Sequence, residues 1–136
     1  MDLFRNPVIE KEAALYSPLQ LAYIGDTVWE LVVRDDLLHK QLNVHHLHVE
    51  CVKFVNAAAQ SMFLNRLRPM LTDSEEQIVR RGINAHARHP VPKNQAPKDY
   101  AQATGFEALL GFLFLTGQYE RIRYFADVIT GGAIDA

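Results

Sequence analysis

Apolar residues along this chain recur at intervals of three and four, the spacing of a helix face. No run alternates apolar and polar residues between turn signals as a half-buried strand would. The pattern predicts an all-α fold. Ser17-Pro18 offers an N-cap followed by proline at the first helical position, and Leu19, Leu21, Ala22, Ile24, Val28, Leu31, Val32 and Leu38 then line a helix running to about Leu38. Residues from about Val44 to Leu67 read as one or two helices, ending where Arg68 precedes Pro69 and is pushed away from helical geometry. Thr72 and Glu75 make a capping box that opens a helix to about Ala87. Three prolines between His89 and Pro97 demand an irregular loop. A helix from about Lys98 to Thr116 follows, closed by Gly117, and an amphipathic helix spans roughly Tyr119 to Ile129 ahead of Gly131-Gly132.

Composition changes this picture little. A chain of 136 residues, 49% apolar and 22% charged, is the size and make-up of one globular domain, so 1–136 reads as a single unit. No cationic segment leads into an apolar run at the start, and no uncharged stretch reaches the roughly 18 residues needed to cross a bilayer. Both points argue against secretion and a membrane partner, and for a cytoplasmic protein. The single Cys51 cannot pair within the chain and reads as a reduced thiol without a catalytic role.

Charge changes it more. The formal net charge is −2, yet between Gln77 and Lys98 there is no acid, while Arg80, Arg81, Arg88, Lys93 and Lys98 supply five positive charges. The rest of the chain sets nine Lys and Arg against sixteen Asp and Glu. One basic segment on an acidic body suits a polyanion held at one place.

Two carboxylates stand out chemically. Asp26 follows Gly25 inside LAYIGDTVWEL, and Glu107 sits in ATGFEALLGFLFL four residues before Gly111. A mid-helix glycine costs about 1 kcal/mol relative to alanine and implies close approach of another chain segment. An acid among apolar neighbours is rarely tolerated unless paired, hydrogen-bonded or holding a cation. Two such helices, crossing, could present Asp26 and Glu107 to one magnesium ion, a hard cation that takes oxygen ligands. The plainer reading, a semi-exposed or hydrogen-bonded carboxylate in each helix, stays open on these grounds. His45, His46 and His48 lack the i, i+4 spacing of a helical zinc pair, and one cysteine cannot complete such a site. Tyr23, Trp29, Phe106, Phe112 and Phe114 read as core or subunit interface rather than a base-stacking platform.

The residues carry a resemblance as well. SPLQLAYIGDTVWELVVRDDLL resembles the signature helix of ribonuclease III, and TGFEALLGFLFLTG its second active-site helix. The succession AYIGD, RRGINA, PKN and ATGFEALLG is more specifically similar to the Mini-ribonuclease III family, over Ser17 to Gly117. That resemblance implies an all-helical endonuclease domain without a separate double-stranded-RNA-binding domain, acting as a homodimer on 23S ribosomal RNA precursor. It implies magnesium-dependent cleavage of double-stranded RNA to 5'-phosphate and 3'-hydroxyl ends. Carried across, it makes Asp26 and Glu107 the catalytic and metal-binding residues. Two further acids of ribonuclease III are here Ala22 and Thr104, so the pair must hold metal nearly alone, with Thr104 and Glu30 as supporting groups.

A-form RNA is read by shape, 2'-hydroxyls and phosphates. Arg80, Arg81, Asn84, Lys93, Asn94 and Lys98 suit such contacts, although each alone is also an ordinary solvated residue. The apolar faces of the two active-site helices exceed what one small domain covers, which again predicts a symmetric dimer. Two other functions compete: a non-catalytic RNA-binding or ribosomal component of the same fold, and a helical nucleotide pyrophosphohydrolase that uses carboxylates and magnesium.

Overall fold

The computed structural model describes residues 3–85 and 96–131. These form α1 (Glu10–Ala13), α2 (Pro18–Leu38), α3 (Val44–Val55), α4 (Ala57–Leu67), a 3-10 turn (Arg68–Met70), α5 (Asp73–Asn84), α6 (Pro97–Leu115) and α7 (Tyr119–Thr130). Among the described residues there is no strand. The fold is all-α, as the periodicity predicts.

Local chemistry sets the boundaries. Ser17 caps α2 in a full box: its hydroxyl accepts from the Gln20 amide at 3.1 Å, and the Gln20 side chain accepts from the Ser17 amide at 2.9 Å. Thr72 and Glu75 do the same for α5 at 3.1 and 2.8 Å. The stretch from Val44 to Leu67 is two helices, because Asn56 takes an extended conformation (ψ 158°) and its side chain accepts from the Ala59 amide. Gly117 ends the sixth helix region with φ at +72°, where a side chain would be strained.

Three expectations need correction. The short α1 has no counterpart in the apolar spacing. Arg68 is not driven from helical geometry by Pro69; it keeps φ −48°, ψ −46°, and the chain tightens into a 3-10 turn with the proline in its first positions, where its missing N–H costs nothing. Of the residues expected to line α2, Leu31 and Leu38 are 60% and 63% exposed, and Trp29, Val33 and Leu37 face the core instead.

The sixth helix is the axis of the molecule, with α2, α4 and α5 packed round it and α7 against one end. From Ala103 to Leu113 every residue except Glu107 is buried. Its apolar surface is thus covered within one chain, so the excess expected of both active-site helices lies on α2 alone. Trp29 ties the layers together. Its indole N–H donates to the Phe54 carbonyl at 2.7 Å, and its ring meets Phe106 edge-on at 5.1 Å.

Two crossings with α6 are too tight for side chains. A Cβ on Gly25 would lie 1.7 Å from the Glu107 carbonyl oxygen, and one on Gly111 would lie 2.0 Å from that of Leu21. On the other side, a Cβ on Gly82 would lie 2.7 Å from the Gly105 Cα. Glycine is therefore required where α2 and α5 touch the axis, and the approach sets the depth of the site.

Candidate active site

The Gly25 contact builds the site. Because α2 lies with Gly25 on the Glu107 backbone, the next residue, Asp26, projects beside the Glu107 side chain at the edge of the crossing. Together with Leu19, Ala22, Tyr23, Thr27, Tyr100 and Thr104 they line an open cleft of about 260 Å³. Asp26 is exposed and Glu107 is the partly buried floor. Among the described residues no basic side chain lines the cleft.

The electrostatics follow. Burial pushes the Glu107 carboxyl up to about 8, and the neighbouring Asp26, by hydrogen bond and by like charge, pushes the same way, against a smaller opposing effect from Gln60. At neutral pH Glu107 thus keeps its proton, in a hydrogen bond with Asp26. A cation placed between the oxygens would replace that proton, so the donor set fits a hard divalent ion. Among the described residues no group of three or more Asp, Glu, His or Cys comes together, which leaves this pair as the concentrated negative charge of the cleft.

Other expected residues scatter. Thr104 is buried at the cleft wall, its hydroxyl donating to the Tyr100 carbonyl at 3.1 Å. Glu30, one turn beyond Asp26, is not among the residues lining the cleft and pairs with Arg34 at 3.0 Å. Arg80 has a 66% exposed side chain and only a 3.7 Å contact with Glu76. Asn84, on the same face of α5, and Lys98, in the first turn of α6, are also exposed. Arg81 is engaged otherwise: its guanidinium donates to the Ala14 and Tyr16 carbonyls at 3.0 and 2.9 Å and ties α5 to the segment before α2. Lys93 and Asn94 lie outside the described residues. Of the aromatic set, Trp29, Phe106 and Phe112 are core, Phe114 is half-buried, and Tyr23 is 82% exposed at the cleft rim.

The sequence reading missed Tyr100, Thr27 and Gln60. Tyr100 was within reach, being one turn before Thr104 and two before Glu107 on one face. Gln60 carries no sequence signal, since it arrives from α4 across the core.

Comparison with known proteins identifies the family. A Ribonuclease III domain matches residues 19–118. A Mini-ribonuclease 3 of Symbiobacterium thermophilum is 47% identical over 106 residues, covering 77% of this chain and 81% of that protein. Another, from a Thermoanaerobacter species, is 43% identical over 123 residues, covering 89% and 86%. A crystal structure of a Fusobacterium nucleatum protein superposes with a TM-score of 0.81 at 28% identity, covering 88% of this chain and 95% of that one. The chain belongs to the ribonuclease III family and, within it, to the Mini-ribonuclease 3 group. Its class of activity is that of an endoribonuclease acting on double-stranded RNA. No helix among the described residues is long and apolar enough to cross a membrane.

Proposed function

We propose that Asp26 and Glu107 are the catalytic, metal-binding pair of a magnesium-dependent nuclease that matures 23S ribosomal RNA precursor in the cytoplasm. The observation that carries this reading is the pair itself: two carboxylates forced together at a glycine crossing, with no cationic side chain among the described residues lining their cleft. Magnesium, when bound there, would lower the pKa of water to make a nucleophile and offset charge on the phosphoryl oxygens. The chain's own contribution is placement. The crossing fixes the distance between the two carboxylates, and the buried walls of Ala22 and Thr104 keep bulk water from one side of them. Hydrolysis leaves 5'-phosphate and 3'-hydroxyl ends.

Duplex RNA reaches the pair over α5 and the start of α6. Arg80, Asn84 and Lys98 are the exposed donors there, with Lys98 about 13.5 Å along the helix axis from Glu107. Arg81 serves that face through its backbone tie, and Lys93 and Asn94 are proposed as further RNA contacts on sequence grounds. Tyr23 and Leu15, each 82% exposed, with Leu19 and Tyr16 beside them, support a homodimer that covers this face of α2. The test is incubation of the purified protein with duplex RNA and with 23S precursor, in magnesium and in EDTA. Cleavage of both RNAs only with magnesium is expected; intact RNA in every condition overturns the reading.

A further inference from the structure

Among the described residues, the Gln60 amide nitrogen is the one buried side-chain nitrogen or oxygen without a hydrogen-bond partner. The residue is only 2% exposed, so bulk water does not reach it. A buried N–H left unmade costs about 1–3 kcal/mol, and a fold retains such a group only for a reason. Its surroundings supply one. Gln60 comes from α4, which packs on α6, and the adjoining Ser61 is fastened to Gln102 of that helix by a 2.5 Å hydrogen bond. The Gln60 side chain is thereby held beside the Glu107 carboxylate, though outside a closed hydrogen bond.

We propose that Gln60 is a positioning residue for Glu107: its amide is the neutral donor that orients the carboxylate toward a divalent cation in the cleft. The inference rests on the reading of Asp26 and Glu107 as metal ligands. A carboxylate that holds a metal is oriented by a second contact, and losing such an outer contact typically weakens metal binding about 10–100-fold. Here the donor has to be uncharged. A lysine or arginine at position 60 would neutralise the pair and compete with the cation, whereas an amide supplies an N–H and leaves the negative charge intact.

The test compares wild-type protein with Gln60→Met, which keeps length and bulk but removes the donor. Magnesium binding is measured by calorimetry without RNA, cleavage of duplex RNA is followed across magnesium concentrations, and RNA affinity is measured in EDTA. Gln60→Met should bind magnesium about tenfold more weakly and need correspondingly more for half-maximal cleavage. Its RNA affinity in EDTA should be unchanged and its melting temperature in EDTA equal or higher, because an unmet buried donor has gone. A merely structural glutamine would show the opposite, with stability and RNA affinity falling alongside cleavage. Should Gln60→Met fail to fold, Gln60→Asn withdraws the amide by one methylene and carries the same expectation. Magnesium binding and cleavage within twofold of wild type in the folded variant overturns the proposal. Asp26→Asn and Glu107→Gln run alongside: if these also retain both, the metal-site reading has failed, and if they lose both, the failure belongs to Gln60 alone.

Discussion

Carboxylates serve this molecule in two opposed ways. At one end, Asp36 of α2 receives two parallel hydrogen bonds from Arg123 of α7 at 2.8 and 2.7 Å, and Glu75 of α5 receives two from Arg121 at 2.9 and 2.8 Å. Arg121 also donates to the Met70 carbonyl and lies 4.3 Å over the Phe125 ring. These acids are matched in charge and geometry, and they join α7 to the rest of the bundle. In the cleft, Asp26 and Glu107 meet each other instead of an arginine. The same residue types, on the same kind of scaffold, give a clamp in one place and an electrostatically unfinished site in the other. Glu75 and Glu107 show it directly. Burial pushes both upward, but hydrogen bonds from Arg121 and Thr72 and the Arg121 charge hold Glu75 below the usual carboxylate range, whereas Asp26 drives Glu107 further up.

The contrast is tested most severely at the unfinished pair. Asp26→Asn and Glu107→Gln should each reduce duplex-RNA cleavage by about a thousandfold or more, near 4 kcal/mol in the barrier, with RNA binding in EDTA unchanged. Single-turnover kinetics beside a filter-binding assay separates the two effects. A variant that cleaves within tenfold of wild type would show that holding a cation is not what the site is for.

At the clamp the prediction concerns stability rather than activity. Arg121→Met leaves Glu75, 3% exposed, without its counter-charge, and should cost about 3 kcal/mol at pH 7. Adding Glu75→Gln should restore most of that, because an uncharged side chain in the same place needs no partner. Urea denaturation at constant slope measures both. If the double variant were no more stable than the single one, the clamp would owe its strength to packing and the comparison would lose its first half.

The sequence exposes these regions unequally, for physical reasons. Caps, proline positions and the glycine ends are local chemistry, so Ser17 and Thr72 open their helices, and Gly117 closes its own, within a residue or two of where the sequence puts them, whereas the break at Asn56 was left open. Asp26 and Glu107 were legible because an acid beside a mid-helix glycine contradicts its surroundings twice over. The crossing itself follows the same logic, since Gly25 meets the Glu107 backbone. What could not be read were contacts made across the bundle. Nothing near Gln60 in the chain points to Glu107, and nothing near Arg121 or Arg123 distinguishes a clamp from a solvated charge. Arg81 sits in the basic segment, yet its hydrogen bonds go to Ala14 and Tyr16. For α2, Leu31 and Leu38 count as apolar in any pattern, but only packing decides that Trp29, Val33 and Leu37 turn inward.

The smallest expected effect has the least expected sign. Glu107 has a folded-state pKa raised to about 8 from 4.5, so between these values the folded protein binds more protons than the unfolded chain. Stability therefore falls as pH rises through that window, is fully present below about 4.5 and is lost above about 8. Removing the charge should help the metal-free protein: Glu107→Gln is expected to stabilise it by about 2 kcal/mol at pH 8 and by nothing measurable at pH 4. Glu75 runs the other way, its contribution being present above its unfolded value and lost in acid. Magnesium should reverse the ranking at pH 8, raising the melting temperature of wild type while leaving Glu107→Gln where it was. Melting curves of both proteins at pH 4 and 8, in EDTA and in magnesium, carry the test. A wild-type protein more stable than Glu107→Gln at pH 8 in EDTA would mean that something other than the Glu107 proton already satisfies the pair.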